Sequence, residues 1–218
     1  MTCGNMPRQS VAIVDTGVAN VFSITRAIQE LGGSPHVTDD PRELSKADRV
    51  IIPGVGSYAS TMAMFAERGI DQSLVQHAEA GRPLMGICLG MQLLAASGYE
   101  EGHTRGLGLM PGEAVPLPSA RTDGSILRRP HIGWSRVIPS DTVPLSRWSG
   151  SGQGAQDFYF AHSFTVTAPD AKVVAATFEY GGHELIAVIQ QGTILGVQFH
   201  PERSGPAGLL LLEAFITA

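Results

Sequence analysis

The stretch PLMGICLGMQLLAA, residues 83–96, joins an apolar run to a helical pattern through the motif G-I-C-L-G centred on Cys88. A glycine-x-nucleophile-x-glycine motif is typical of a sharp turn from a strand into a helix, where glycines let the backbone double back. The turn holds the central side chain in a strained conformation, clear of the sheet. It also places that side chain at a helix N-terminus, where the macrodipole stabilises negative charge. The motif predicts either an exposed nucleophilic thiol or, alternatively, a buried and inert cysteine between two packing glycines.

Strand-like and helix-like segments alternate on the N-terminal side of this stretch. Continuous apolar runs predict strands at 10–15, 34–39, 49–56 and 83–87, and helical spacing predicts helices at 21–33, 59–67 and 72–80. Strands that are apolar throughout suit a parallel sheet that is covered on both faces. We therefore expect an α/β fold with a doubly wound, mostly parallel central sheet.

The C-terminal side has a different pattern. Residues 112–154 are rich in Pro, Ser and Gly, which favours exposed loop. Strands are predicted at 158–166, 172–180, 185–190 and 193–200, separated by glycine turns that indicate antiparallel hairpins, and a helix is predicted at 205–216. We expect an antiparallel C-terminal extension of the sheet and a single domain over residues 1–218.

Composition and charge exclude several classes of function. The chain has 218 residues with 43% hydrophobic and 16% charged residues, as in ordinary globular proteins. A net charge of −5 with scattered Lys and Arg predicts no nucleic-acid partner. The longest apolar runs are interrupted by Gln92 and Glu213, and no signal-peptide pattern is found, so we expect no membrane segment and a cytoplasmic location. Two cysteines do not make a disulfide framework.

A base for Cys88 is found near the end of the predicted strand 193–200, in the sequence GVQFHPE. His200 and Glu202 are two residues apart, so on extended backbone their side chains would share a face. A carboxylate there could fix the tautomer of the imidazole, and the imidazole could serve the thiol. The alternative for any one of the seven histidines is a surface or hydrogen-bonded residue. Histidines, cysteines and aspartates show no metal-ligand spacing, so we expect no metal and no cofactor.

Oxyanion donors are suggested by the sequence PGVG, residues 53–56, at the end of another predicted strand. Glycines leave backbone N–H groups accessible to a substrate. In open α/β folds, ligands bind at the carboxyl edge of the parallel strands, and this edge also carries the cysteine turn.

The three motifs together resemble those of class I glutamine amidotransferases, in which a Cys-His-Glu triad releases ammonia from glutamine. Further motifs resemble the glutaminase subunits of imidazole glycerol phosphate synthases, which act in histidine biosynthesis: GLGLMPG (106–112), PHIGW (130–134), YFAHSF (159–164) and the C-terminal sequence from 196 onward. The resemblance covers nearly the whole chain from Val11. It implies a heterodimer with a (β/α)-barrel cyclase subunit, which receives the ammonia.

The resemblance also implies roles for individual residues. Cys88 corresponds to the nucleophile, His200 to the general base and then acid, and Glu202 to the orienting carboxylate. The implied oxyanion residues are Gly54, Val55, Gly56 and Leu89, and the implied glutamine-binding residues are Gln92, His162, Ser163 and Phe164. For Gln92 and Ser163 the alternative is ordinary hydrogen bonding within the fold.

The sequence also departs from the family pattern. After the first strand the family has Asp-Tyr-Gly-x-Gly-Asn, whereas this chain has Thr16 and Ala19 in place of the aromatic residue and the second glycine. In the family this loop lies near the synthase partner, so details of docking are open. Residues 118–129 and 146–156 match no motif and are expected to be exposed insertions.

Two alternative functions remain at this point. One is a triad glutaminase that feeds a different synthase, such as one that amidates a sugar, because the triad does not identify the acceptor. The other is a non-enzymatic redox-thiol protein on an α/β scaffold, in which Cys88 is oxidised rather than acylated.

Overall fold

The computed structural model describes residues 9–17, 21–54, 56–140, 154–168 and 170–217, in which the chain forms two β-sheets and six α-helices. The helices are α1 (Val21–Glu30), α2 (Pro41–Leu44), α3 (Tyr58–Arg68), α4 (Ile70–Glu79), α5 (Leu89–Leu94) and α6 (Gly205–Thr217). The strands are β1 (Ser10–Val14), β2 (Ser34–Thr38), β3 (Arg49–Ile52), β4 (Leu84–Ile87), β5 (Ser97–Gly98), β6 (Thr104–Arg105), β7 (Glu113–Pro116), β8 (His131–Pro139), β9 (Gln156–His162), β10 (Phe164–Thr167), β11 (Val174–Tyr180), β12 (His183–Gln191) and β13 (Ile194–Val197). None of the described helices has the length and apolar character needed to cross a membrane.

The main sheet has the strand order β2-β1-β3-β4-β13-β12-β11-β8-β9. The pairings from β2 to β13 are parallel, and those from β13 to β9 are antiparallel. This mixed α/β sheet confirms the predicted fold class, with β4 and β13 at its centre. The second sheet, of order β10-β7-β5-β6, was not predicted.

Helices cover both faces of the parallel half. On one face α1 and α6 pack on the sheet, with Ile28 and Phe215 fully buried; on the other α2 to α5 do so, with Leu44 and Phe65 fully buried. Burial of each such side chain stabilises the fold by about 1.5–3 kcal/mol. This arrangement leaves the carboxyl ends of the parallel strands at an edge that the helices do not cover.

Two predictions about the second half were wrong. The segment 112–154, predicted as loop, contains β7 and the nine-residue strand β8, in which apolar side chains such as Ile132 and Trp134 point outward. The single strand predicted at 158–166 is two strands in different sheets, broken at Ser163. Both errors arise because inter-strand pairing, rather than local sequence, decides where these strands end.

Of the two segments that match no motif, residues 118–129 are not a fully exposed insertion. Leu127 is buried, and the backbone N–H of Thr122 donates to the carbonyl of Gly181 in the β11–β12 turn. Most of the segment 146–156 lies outside the described residues.

Candidate active site

Cys88 lies in a strained turn between β4 and α5, with φ 50° and ψ −107°. Its backbone N–H donates to Val197 O at 2.7 Å, which ties the turn to β13. Gly90 has no room for a side chain, because a Cβ there would overlap the carbonyl oxygen of Ile52. The chain therefore makes the sharp turn that the two glycines predicted. The Cys88 side chain lines a cavity of about 180 Å³, although the residue exposes only 5% of its surface.

His200 and Glu202 form a buried pair beside this cysteine. Nδ1 of His200 lies 2.9 Å from Oε1 of Glu202, and the two side chains expose 10% and 7% of their surfaces. The sequence predicted that the two share a face of extended backbone. Instead Pro201 begins a 3₁₀ turn (Pro201–Arg203), which brings the carboxylate back onto the imidazole.

The electrostatics of His200 follow from these contacts. Burial alone would lower its pKa, but hydrogen bonds and charge interactions with Cys88 and Glu202 outweigh burial and raise the pKa to about 10. Glu202 occupies Nδ1, so Nε2 is the nitrogen available to the sulfur. A protonated imidazole beside the cysteine can stabilise a thiolate when one forms and can later deliver a proton.

Two amides connect the sulfur to the segment 162–164. Nε2 of Gln198 lies 3.7 Å from the Cys88 sulfur, and Oε1 of Gln198 accepts from Nε2 of Gln92 at 3.3 Å. Nε2 of Gln92 also donates to the carbonyl of Phe164 at 3.0 Å. Gln92 is thus hydrogen-bonded within the protein while it also lines the cavity.

The segment 162–164 forms another wall of the cavity, at the break between β9 and β10. Nδ1 of His162 lies 2.7 Å from the carbonyl oxygen of Phe164, and the backbone N–H of Leu117 donates to Ser163 O at 2.9 Å. Burial and the neighbouring His131 and His200 lower the pKa of His162 to about 4, so its ring is neutral at neutral pH.

The glycine segment after β3 lies against the same turn. Gly54, Gly56 and Leu89 line the cavity, whereas Val55 lies outside the described residues. A Cβ at Gly54 would come within 2.6 Å of the Cys88 Cβ, so glycine is required for this close approach. Glycine also suits position 56, where φ is +117°.

Similarity to known proteins places these features in a family. The family model of class-I glutamine amidotransferases matches residues 12–218. An imidazole glycerol phosphate synthase subunit HisH from Moorella thermoacetica is 42% identical over 205 residues, covering 94% of this chain and 93% of the relative; the HisH subunit of Syntrophotalea carbinolica is 37% identical, covering 94% and 98%. The chain is a class I glutamine amidotransferase of the HisH family.

Solved structures of lower identity show the same fold. The structure of PurLQS from Thermotoga maritima matches with a TM-score of 0.75 at 21% identity, covering 96% of this chain and 98% of that chain. The glutaminase domain of Trypanosoma brucei CTPS, solved with bound acivicin, matches with a TM-score of 0.64 at 17% identity, covering 95% and 93%.

Two polar residues of this HisH-family site were missed in the sequence. Gln198 is fully buried beside the sulfur, although it stands in the motif that supplied the base. Glu100 is the one carboxylate among the described residues that line the cavity, and its Oε2 accepts from the backbone N–H of Tyr58. No local pattern marks Glu100, because only the short strand β5 after α5 directs the chain back to the site.

The departures from the family loop fall partly within the described residues. Thr16 is buried beside a turn in which the backbone N–H of Gly17 donates to Oδ1 of Asp15 at 2.8 Å, and Gly17 has φ +71°. Ala19 lies outside the described residues. Among the described residues no group of three or more His, Cys, Asp and Glu side chains could hold a metal ion.

Proposed function

We propose that the chain hydrolyses glutamine to glutamate and ammonia through Cys88, His200 and Glu202, and delivers the ammonia to a cyclase subunit that makes imidazole glycerol phosphate. The observation that carries the proposal is the imidazole of His200, which is held at 2.9 Å from a buried carboxylate beside a strained cysteine and whose pKa is raised by Cys88 and Glu202. The names of the HisH relatives support histidine biosynthesis as the setting.

In the first half of the reaction the Cys88 sulfur attacks the side-chain carboxamide carbon of glutamine. A C–S bond forms, negative charge develops on the carbonyl oxygen, and the N–H of Leu89 together with the segment 54–56 stabilises that charge. When the C–N bond breaks, His200 gives its Nε2 proton to the leaving nitrogen, and ammonia departs.

In the second half, water attacks the γ-glutamyl thioester. Neutral His200 takes a proton from the water, the C–S bond breaks, and glutamate leaves. Glu202 exchanges no proton in these steps, because it accepts the hydrogen bond from Nδ1–H of His200 and stabilises the imidazolium. These steps need no metal or cofactor, because the thiol supplies the nucleophile and His200 moves the protons.

Glutamine recognition follows from the polar groups of the cavity. Glu100 offers a carboxylate for the α-ammonium group, while the backbone at Ser163 and the amide of Gln92 offer hydrogen bonds to the rest of the substrate. His162 and Phe164 support that backbone through their mutual hydrogen bond.

The cyclase partner is proposed to dock on the outer face of β8 and β9. Ile132, Trp134 and Ile138 are exposed there by 64%, 57% and 55%. Aromatic and aliphatic side chains in such a patch are typical anchors of protein interfaces. Ala161 lies opposite Ile132 in register, and its carbonyl oxygen is 3.8 Å from the Cys88 sulfur, so this face borders the site that releases ammonia.

The partner is proposed to be a (β/α)-barrel, with which this chain forms a heterodimer in the cytoplasm. The chain itself is proposed to work as one domain, residues 1–218. That view is supported by α5, which begins at the cysteine turn of the main sheet and also contacts β5, β7 and β10 of the second sheet.

Replacement of Cys88 by Ser tests the proposal. With the cyclase and its ribotide substrate, Cys88→Ser should abolish glutamine-dependent synthesis and leave ammonia-dependent synthesis unchanged; loss of both would contradict the division of labour. Glutamate release that the cyclase does not stimulate, with Cys88 still labelled by a glutamine-analogue electrophile, would indicate a different synthase. No labelling, but ready oxidation by peroxide, would indicate a redox thiol instead.

A further inference from the structure

Two buried histidines, His131 and His162, lie side by side on β8 and β9, the last two strands of the main sheet. They are directly opposed in the register of β8 and β9, and Nδ1 of His131 lies 3.2 Å from Nε2 of His162. They expose only 5% and 4% of their surfaces. The proposed reaction uses neither the ring of His131 nor the hydroxyl of Ser135, which the ring contacts. These two groups therefore need a separate explanation.

The directions of the hydrogen bonds are fixed by the acceptor at one end. The carbonyl of Phe164 can only accept, so Nδ1 of His162 carries the proton. Burial lowers the pKa of both rings to about 4, so each neutral ring has one donor and one acceptor. Nε2 of His162 must then accept from Nδ1–H of His131, whose Nε2 accepts from the hydroxyl of Ser135 at 3.1 Å.

We propose that His131 is a positioning residue for glutamine, which acts by holding His162 in the Nδ1–H tautomer and so fixing the carbonyl of Phe164. The proposal rests on the proposed function of the site. That carbonyl accepts from both His162 and Gln92, so its position affects the cavity wall and the amide that reaches toward the nucleophile. His131 therefore accepts from Ser135 and donates to His162, in a series of hydrogen bonds that all run toward the carbonyl of Phe164.

The aromatic surroundings of His131 allow its packing to be separated from its hydrogen bond. The ring stacks on Tyr180 at 4.1 Å between centroids, and also on Phe160 at 5.2 Å and Phe178 at 5.6 Å. Phenylalanine at position 131 keeps these stacking contacts and removes the donor to His162. Asparagine loses the ring but can place an amide N–H near the former Nδ1.

Steady-state glutamine hydrolysis in the presence of the cyclase distinguishes the two roles. Loss of one buried hydrogen bond predicts that His131→Phe raises the KM for glutamine ~10-fold. We expect His131→Asn to stay within about threefold of wild type, because it restores the donor. Ser135→Ala is the matched control, because it leaves the bond between the two histidines intact. The reverse order, with Phe tolerated and Asn impaired, would show that His131 only packs.

Two further readouts keep the test independent of folding defects. In ¹⁵N spectra of the wild-type imidazoles, His162 should carry its proton on Nδ1; protonation on Nε2 would overturn the proposal without any variant. Alkylation of Cys88 by iodoacetamide should proceed at the wild-type rate in His131→Phe, because the nucleophile is untouched; slower alkylation would mean a general disruption. If wild-type protein releases no glutamate, the proposed function fails; if it does and His131→Phe is unimpaired, only this inference fails.

Discussion

The pair formed by His200 and Glu202 gives the sharpest test of the proposed mechanism, through the substitution Glu202→Gln. Glutamine has the same size as glutamate but no charge, and its amide can donate toward Nδ1 of His200. That contact would favour the tautomer with the proton on Nε2, in which the ring cannot accept a proton from water. The change therefore removes both the stabilisation of the imidazolium and the correct tautomer.

The size of the effect follows from the geometry of the pair. The hydrogen bond is 2.9 Å long and the two side chains expose only 10% and 7% of their surfaces, so solvent screens it weakly. A hydrogen bond to a charged group of this kind contributes about 1.5–3 kcal/mol. At about 1.4 kcal/mol for each factor of ten, kcat/KM for glutamine should fall by ~10- to 150-fold.

The dependence on pH gives a second signature. The Glu202 carboxylate is one cause of the raised pKa of His200, about 10 in the wild type, so its removal lowers that pKa. Because His200 must carry a proton when ammonia leaves, the alkaline decline in kcat should begin at a lower pH in Glu202→Gln. Glutamate release with the cyclase present, measured from pH 6 to 10, tests this, and Glu213→Gln on the exposed side of α6 is the control. A loss below about threefold with an unshifted profile would refute the orienting role.

Three other outcomes are expected. Gly90→Ala places a Cβ on the carbonyl oxygen of Ile52, so it should lower the melting temperature and the glutaminase activity together; normal values of both would contradict the required close approach. Trp134→Ala should weaken cyclase binding by ~30-fold, about 2 kcal/mol, in titration calorimetry with the melting temperature unchanged; unchanged affinity would exclude this face. Burial lowers the pKa of His131 and of His162 to about 4 in the folded protein. Between pH 6.5 and 4 these two imidazoles therefore take up protons only in the unfolded state. Their contribution to stability is thus complete above pH 6.5 and is lost as the pH falls below it. In urea unfolding, the free energy of unfolding should therefore fall less steeply with decreasing pH in His131→Phe than in the wild type. An equal fall in both proteins would contradict this prediction.

The parts of the site that the sequence predicted are those set by local physics. The turn at Cys88 needs two glycines and an apolar strand, all within a few residues, so the motif alone specifies it. His200 and Glu202 also lie within one short segment, although the backbone that brings them together is a 3₁₀ turn and not a strand. Burial on both faces likewise makes the parallel strands continuously apolar, which is visible in the sequence.

The parts that were missed depend on contacts between distant segments. Glu100 reaches the cavity only because β5 joins the second sheet, which the sequence did not reveal. The strand β8 was missed because its outward face carries Ile132 and Trp134, so it lacks the polar alternation expected of a half-exposed strand. The feature that obscured this strand is also the one that suggests a partner.

The break at Ser163 explains how the carbonyl of Phe164, a residue that lines the cavity, accepts from side chains rather than from a neighbouring strand. In β10, Phe164 lies opposite Pro116 of β7 in a non-hydrogen-bonded pair, because the N–H of Leu117 donates to Ser163 O, and so the Phe164 carbonyl points away from β7 toward the free edge of the second sheet. The carbonyl of Phe164 is therefore left to side-chain donors, and it receives them from His162 at 2.7 Å and Gln92 at 3.0 Å. The edge position of β10 thus leaves a carbonyl in the cavity wall whose place is fixed by two side-chain donors.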